Sequence, residues 1–164
     1  MLQLQITVDD DLANRKTLPG HVTGAAFVLS PDRKKLLLIH HKILQQWFQP
    51  GGHWDPGESD PLAAARREAI EETAVEIAKY MPIDPINPLV PIDIDTHYIP
   101  ANSSKYELEH YHHDCRYVFV AGSERLAAQT TEVDAAAWFD LNSPECQSLG
   151  VIMDKMRELG SIGI

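Results

Sequence analysis

The amino-acid sequence predicts a single α+β domain over residues 1–164, built as a sandwich in which a mixed, curved β-sheet lies between helices. Two observations predict this fold class: segments with strand character outnumber helical segments, and the connections between them vary in length. A third concerns size. The chain has 164 residues, 44% of them hydrophobic, which suits one domain with one buried core.

The strands are predicted from runs of apolar, aromatic and β-branched residues bounded by turn residues. They lie at residues 2–8, 21–30, 35–40, 92–99, 111–121 and 135–139. Residues 31–33 form the turn of a hairpin between the second and third strands. Residues 9–15 are expected to be a short polar helix or a loop, and residues 50–52 a loop.

Two helices are predicted. Asp60 can cap the first and Pro61 suits its first position, so this helix runs to about Ala74. Four prolines between residues 82 and 91 then predict a long irregular connection. The second helix begins near Ser143 and ends at Gly160.

The charge of the chain restricts its partners. The formal net charge is −10, from 24 acidic and 14 basic residues. Such a surface repels the backbone of DNA and RNA, so we expect no nucleic-acid polymer as a partner. It would also repel a small phosphorylated substrate unless divalent cations intervened. If the substrate is anionic, the charge therefore favours a site that uses a metal.

The sequence predicts a cytoplasmic protein that does not contact a membrane. No apolar run approaches the roughly 18 residues needed to span a bilayer. The first 18 residues lack the features of a signal peptide. Cys115 and Cys146 are far apart and are expected to be reduced thiols.

Three glutamates dominate the first helix. With an advance of about 100° per residue, Glu68, Glu71 and Glu72 fall within about 100° of arc. Like charges at this spacing weaken an isolated helix, although a solvated acidic face tolerates them. For the cluster alone, a solvated face is the simpler interpretation. The same carboxylates are also ligands that Mg²⁺ and Mn²⁺ prefer.

The flanking residues favour the metal site. Glu58, in the loop before the helix, can fold back over the helix start. Gly51 and Gly52 allow a backbone carbonyl to approach a cation. Arg67 is four residues before Glu71 and can neutralise and orient the acids.

With these residues, the segment GGHWDPGESDPLAAARREAIEETAV resembles the signature of the Nudix hydrolase family. That signature is a glycine, five residues, a glutamate, seven residues, Arg-Glu, two residues, Glu-Glu, one residue and a glycine. Six positions match it: Gly52, Glu58, Arg67, Glu68, Glu71 and Glu72.

Two positions depart from the signature. Eight residues, 59–66, separate Glu58 from Arg67, which is one more than the family pattern. We expect the additional residue in the loop before Pro61, where it leaves the helical spacing intact. Ala74 stands where the family has glycine, which makes the turn after the helix less easy.

The resemblance implies a Nudix-type α/β/α sandwich with Mg²⁺ or Mn²⁺ as cofactor. It implies hydrolysis of a diphosphate linkage in a nucleoside diphosphate derivative or nucleoside triphosphate, by attack of a metal-activated water on phosphorus. Glu58 and Arg67 would order the loop and helix, and Glu68 is our choice for the general base. The implied metal ligands are Glu68, Glu71, Glu72 and the Gly52 carbonyl.

In some family members the base comes from another loop, and Glu132 is the candidate for such a carboxylate and further metal ligand. It lies six residues before Trp138 in a predicted loop. An exposed loop acid is about as good an interpretation. Asp134 and Glu109 are weaker candidates.

The strand at residues 111–121 carries the predicted substrate-binding residues. By alternation, His110, His112, Asp114 and Arg116 share one face. We rank three interpretations of this face: lining of a substrate cleft by His112, Asp114 and Arg116, then a structural polar network, then a zinc site. His53 is expected to order the glycine loop. The polar loop at residues 96–105 is expected to set substrate choice.

Other functions stay open at this point. A Nudix-fold module could sense a nucleotide without turnover, a non-hydrolytic isomerase could use the same fold, or the acidic helix could bind no metal. The expected partner is a small phosphorylated molecule, with a nucleotide as the expected chemical class. A homodimer is possible, but the sequence contains no signal for oligomeric state.

Overall fold

The computed structural model describes residues 11–55, 57–103, 106–128, 133–158 and 160. Within these ranges, eight strands form one sheet and three helices accompany it. The strands are β1 (Gly20–Leu29), β2 (Lys35–His41), β3 (Gln46–Phe48), β4 (Gly51–His53), β5 (Ile77–Tyr80), β6 (Asp93–Ile99), β7 (His110–Ala121) and β8 (Val133–Asp140). The helices are α1 (Pro61–Thr73), α2 (Pro144–Gln147) and α3 (Val151–Glu158).

The centre of the sheet is a parallel pair. β1 lies beside β7 in continuous register from Gly20 opposite Tyr111 to Leu29 opposite Val120. On its other edge, β1 pairs antiparallel with β2 and β4. β5 and β6 pair antiparallel with the far edge of β7, and β3 and β8 pair with β2. The sheet is therefore mixed, as predicted.

The two faces of the sheet carry separate cores. Even-numbered residues of β1, such as Ala26 and Val28, pack on α1, and odd-numbered residues pack toward α3. We call these the α1 face and the α3 face. The α3 face buries Phe27, Leu29, Val118, Ile152, Met153 and Met156. This arrangement confirms the predicted sandwich.

Helix α1 rests directly on β1 because Gly24 has no side chain. A Cβ at Gly24 would lie 2.3 Å from the Pro61 carbonyl oxygen and 2.8 Å from the Ala65 nitrogen. The helix begins as predicted, with the Asp60 carboxylate accepting a hydrogen bond from the Ala63 N–H at 2.8 Å. The sequence of β1 therefore fixes how closely α1, with its acids, approaches the sheet.

At its C-terminus, α1 ends one residue earlier than predicted. Ala74 has a left-handed backbone with φ of 54°, and its N–H donates to the Ile70 carbonyl. An alanine in this conformation is strained, since the Cβ approaches its own backbone. The departure from the family glycine therefore has the expected local cost.

Several elements differ from the sequence prediction. Residues 51–53 form β4 rather than a loop because β1 supplies their partner. β5 was missed because it is four residues long and forms by pairing with β7. The last helix is divided into α2 and α3, with Gly150 in a left-handed conformation between them. Residues 11–17 form turns, whereas the strand predicted at 2–8 lies outside the described residues.

None of the helices in the described ranges is long and apolar enough to cross a membrane. Cys115 and Cys146 are both buried and free.

Candidate active site

Arg67 is the centre of the acidic cluster. Its Nε donates to Glu58 Oε1 at 2.8 Å, and its Nη1 donates to Glu68 Oε1 at 3.0 Å and to Glu71 Oε2 at 2.9 Å. Its Nη2 donates to the carbonyl oxygen of His53 at 2.8 Å. One guanidinium thus connects the loop, the helix and β4, as expected for a residue that orders the site.

The loop before α1 reaches this cluster despite the additional residue. The Asp55 N–H donates to Glu58 Oε2 at 2.7 Å, and the Trp54 indole donates to the Glu58 carbonyl at 3.1 Å. Helix α1 is continuous from Pro61, so the spacing of the matched helical residues is intact. Glu58 therefore contacts Arg67 across the longer loop.

Burial and neighbouring charges shift two pKa values in the acidic cluster. Burial opposes the charge of Arg67, but its hydrogen bonds to Glu58 and Glu71 outweigh burial and raise the pKa of the guanidinium. For Glu68, burial raises the pKa of the carboxyl group above its usual range, and the charge of Arg67 opposes the change. Glu68 consequently has more affinity for a proton than an exposed glutamate.

The backbone of β4 lies against two of the glutamates. Glu72 is buried, and its Oε2 accepts a hydrogen bond from the Gly51 N–H at 3.2 Å. A Cβ at Gly52 would lie only 2.2 Å from Glu68 Oε1, so a larger residue would displace that carboxylate. Carboxylate oxygens beside the half-buried glycine backbone of β4 are a donor set that fits Mg²⁺ or Mn²⁺.

The candidates outside the signature have different positions. Glu132 lies outside the described residues. Asp134 is in β8, where its carboxylate accepts a hydrogen bond from Gln45 and lies 3.6 Å from His40. Glu109 accepts a hydrogen bond from the Tyr98 hydroxyl at 2.6 Å. The contacts of Asp134 and Glu109 are thus with residues other than the signature glutamates.

A group of four histidines lies on the α3 face, and we call it the histidine cluster: His21, His53, His110 and His112. His21 lies opposite His112 in the β1–β7 register, with ring centroids 4.7 Å apart. His110 stacks on His21 at 4.9 Å, and its Nε2 lies 3.1 Å from Nε2 of His112. His53, from β4, lies 5.0 Å from His112 and 5.2 Å from His21.

Three members of the histidine cluster have lowered pKa values. Burial, followed by the neighbouring His53, lowers the pKa of His112 to about 3. Burial also lowers the pKa of His53 to about 4 and lowers the pKa of His21. Neutral imidazoles keep a lone pair on one ring nitrogen, which can accept a hydrogen bond or bind a metal.

Asp114 and Arg116 lie farther along the same face in a network of ion pairs. Arg116 contacts Asp93 at 3.0 Å, Asp95 at 3.2 Å and Asp114 at 3.7 Å. Asp114 also accepts a hydrogen bond from the Thr23 hydroxyl at 3.0 Å, and burial raises the pKa of its carboxyl group. These contacts favour the structural network for Asp114 and Arg116, while a role of this face in substrate binding stays a prediction.

A cleft of about 700 Å³ opens beside the histidine cluster. It joins basic and apolar side chains in a protein that is acidic overall. Its walls are Arg15, Lys16, Leu18, Tyr106, Glu107, Leu108 and His110. The sequence analysis predicted that the loop at residues 96–105 sets substrate choice. Residues 96–99 belong to β6. Part of the cleft is lined by the residues just after residue 105.

Sequence reasoning missed two members of the histidine cluster. His21 was assigned only to a strand, and His53 only to loop ordering. Alternation along one strand identifies His110 and His112, but it carries no information about which strands are neighbours. The register of β1 with β7 and of β4 with β1 brings the other two rings to the same face.

The structure is an α/β/α sandwich in which the glutamates of α1, held by Arg67, lie against the glycine backbone of β4. This is the architecture of a class of hydrolases. The sequence matches the NUDIX domain over residues 20–157. The chain therefore belongs to the Nudix family, as the signature resemblance predicted, and it is a Nudix hydrolase.

Individual relatives agree with this assignment. The chain is 33% identical over 145 residues to a Lactococcus lactis protein named "Probable DHNTP pyrophosphohydrolase", covering 88% of this chain and 78% of the relative. A NUDIX-family hydrolase from Clostridium perfringens has a similar fold, with a TM-score of 0.63 at 21% identity over 89% of this chain and 99% of that one. A C. elegans Ap4A hydrolase gives 0.59 at 17% identity over 85% and 97%.

Proposed function

We propose that this Nudix hydrolase cleaves a diphosphate linkage in a nucleoside diphosphate derivative or nucleoside triphosphate, with Mg²⁺ or Mn²⁺. The observation that carries the proposal is the arrangement around Gly52. There, Glu68 and Glu72 lie against the backbone of β4, and Arg67 holds Glu68 and Glu71. A cation held there would neutralise phosphate charge and lower the pKa of the attacking water.

The contacts of the residues support the following proposed roles. Glu68, Glu71, Glu72 and the Gly52 carbonyl would hold the cation. The water oxygen forms a bond to phosphorus, the bridging P–O bond breaks, and the leaving phosphate departs as an anion. Glu68 is the proposed acceptor of the proton of the water. Glu58 binds Arg67 and the backbone N–H of Asp55, so it is proposed as a positioning residue.

The cleft beside the histidine cluster is proposed to hold the organic part of the substrate. Arg15 and Lys16 supply positive charge, and Tyr106 and Leu108 supply apolar surface. His110 connects this cleft through His112 to His53, whose carbonyl is bound by Arg67. The name of the L. lactis relative adds DHNTP to the substrates to be tested. Glu132 stays a proposed additional carboxylate for the metal or the base.

The test is a panel of DHNTP, nucleoside triphosphates, ADP-ribose and Ap4A, assayed for release of phosphate products. We expect hydrolysis of at least one member with Mg²⁺ and loss of that activity in excess chelator, with recovery when Mg²⁺ is restored. Full turnover in chelator would refute the mechanism. Specific binding of a panel member with no turnover in Mg²⁺ or Mn²⁺ would favour the nucleotide-sensing alternative, and a rearranged product would favour the isomerase.

The cytoplasmic location and a homodimer stay predictions of the sequence analysis. Size-exclusion chromatography with light scattering tests the second.

A further inference from the structure

The three innermost rings of the histidine cluster have the arrangement of a metal site. Each of His21, His110 and His112 offers one ring nitrogen, and these three atoms lie within 4.8 Å of one another. His21 is 1% exposed, and neither of its ring nitrogens has a hydrogen-bond partner among the described residues. A buried polar group left in this way is costly, so a ligand at this position would remove a penalty of folding.

The hydrogen bonds fix the tautomer of one ring. Nδ1 of His110 lies 2.7 Å from the Leu108 carbonyl oxygen, which can only accept, so Nδ1 carries the proton. Nε2 of a neutral His110 is then a lone pair, and it faces Nε2 of His112 at 3.1 Å. A backbone carbonyl that orients a histidine by binding its remote N–H is the usual support of a metal ligand.

The separations fit a tetrahedral ion. Zn–N distances of about 2.0–2.1 Å place two ligand nitrogens about 3.3 Å apart, close to the distance between His110 and His112. The wider position of the third nitrogen can be closed by rotation of the imidazole ring, since χ2 of histidine has a broad minimum. His53 stands at the edge of the three as a fourth imidazole, 5.0 Å from His112 between centroids.

We propose that His21, His110 and His112 form a second metal site for a borderline first-row cation such as Zn²⁺, with His53 as the adjacent candidate for a fourth ligand. Imidazole prefers such cations, whereas Mg²⁺ prefers oxygen. The site is on the α3 face, separate from the carboxylates of α1. His110 also lines the 700 Å³ cleft, which gives the ion a path of entry.

The sequence analysis ranked zinc third because one strand face offers only His110, His112 and Asp114. The structure changes the balance by adding His21 and His53 from neighbouring strands and by engaging Asp114 with Thr23.

The experiment uses the full chain, stripped of metal with a chelator that is then removed. Zn²⁺ is added in competition with a chromophoric indicator, and Co²⁺ is added to report coordination by its visible spectrum. We expect one equivalent of either ion to bind with the intense absorption of four-coordinate Co²⁺. A tenfold excess of Mg²⁺ should leave this binding unchanged.

The variants separate the new site from the carboxylate site. His110→Gln and His112→Gln should each weaken Zn²⁺ binding at least about 100-fold. His40→Gln, an imidazole on β2 outside the cluster, is the matched control and should bind as the wild type does. A Glu71→Gln, Glu72→Gln double variant should also retain Zn²⁺, even though it fails in the proposed hydrolysis.

Melting temperatures of all variants without metal verify that each remains folded, and His112→Asn replaces any glutamine variant that unfolds. Binding below one tenth of an equivalent, octahedral Co²⁺ spectra, or loss of Zn²⁺ only in the glutamate double variant would each overturn the proposal. If binding is below one tenth of an equivalent, the cluster is a set of stacked imidazoles that holds no metal.

Discussion

The two faces of the sheet handle polar groups in opposite ways. On the α1 face, Arg67 compensates the carboxylates of Glu58, Glu68 and Glu71 through direct hydrogen bonds. On the α3 face, the rings of the histidine cluster are buried or half-buried, and the ring nitrogens of His21 have no hydrogen-bond partner within the described residues. One chain thus offers hard oxygen donors on one face and imidazole donors on the other, and each set suits a different kind of cation.

Two adjacent residues of one strand connect the two faces. Gly52 and His53 are neighbours on β4, where successive residues point to opposite sides. Gly52 lies against Glu68, whereas the ring of His53 joins the histidine cluster. The comparison therefore predicts that a displacement of this strand affects both faces.

The largest expected effect is on the α1 face. Glu72→Gln should reduce turnover about 100- to 1,000-fold, because a charge that stabilises the transition state is lost. Glu71→Gln should behave similarly. Steady-state kinetics at saturating Mg²⁺ measure both, with Glu158→Gln, an exposed acid on α3, as the control.

Melting temperatures of the two glutamate variants should equal that of the wild type or slightly exceed it, since a like charge is removed from the cluster. Unfolding of either variant would instead make the residue structural. Near-wild-type rates would restore the interpretation of a solvated acidic face.

A change at the connecting strand should have the next largest effect. In Gly52→Ala the new Cβ would meet Glu68 Oε1 at 2.2 Å, so the carboxylate must move. We expect kcat to fall about 10- to 100-fold, as misplacement by an ångström commonly does. Gly122→Ala is the matched control, because its Cβ would also meet a glutamate, Glu76 at 2.8 Å, directly after the end of β7. Equal rates for the two variants would show that Glu68 is not held in a required position.

On the α3 face, an ion pair should contribute to stability rather than to turnover. Asp93 accepts hydrogen bonds from Lys155 at 2.5 Å and from Arg116 at 3.0 Å. Asp93→Asn should lower the free energy of unfolding by about 1–3 kcal/mol, measured by urea denaturation at pH 7. Asp154→Asn, in an exposed pair with Arg157, should cost at most about 1 kcal/mol.

The effect of Asp93 should depend on pH. Burial alone would raise its pKa, but Lys155 and Arg116 outweigh burial and hold the pKa below the usual range. A depressed carboxyl pKa stabilises the fold above the unfolded-state pKa of about 3.9, and this stabilisation is lost as the pH falls through the folded-state value. The difference between wild type and Asp93→Asn should therefore narrow below about pH 4. A constant difference from pH 7 to pH 3 would contradict the ion pair.

The smallest predicted effect is an increase in stability. Ala74→Gly removes the strain of a left-handed alanine at the end of α1 and should stabilise the protein by about 0.5–1.5 kcal/mol. Thermal unfolding measures it. Ala63→Gly, within the helix, should have the opposite sign. A loss of stability in Ala74→Gly would show that the turn does not store strain.

The two faces also differ in how well the sequence predicts them. The acids occur within 15 residues, Glu58 to Glu72, on a segment whose cap and helical period are visible, so their grouping could be predicted. The family resemblance was confirmed on the same segment. The histidine cluster depends on register between β1, β4 and β7, which no local pattern encodes. β5 escaped prediction for the same reason, since its four residues become a strand only beside β7.

The long parallel pairing of β1 with β7 has a consequence for folding. Thr23 and Asp114, which face each other in this pair, are 91 residues apart in the chain. Closing such a loop costs entropy before any contact is gained, so this step is expected to be late and slow. During synthesis, α1 and β4 can associate with β1 while β7 is still inside the ribosome. In a nascent chain the glutamate site of α1 and β4 would thus form first. One edge of β1 would meanwhile be exposed to chaperones or to other chains.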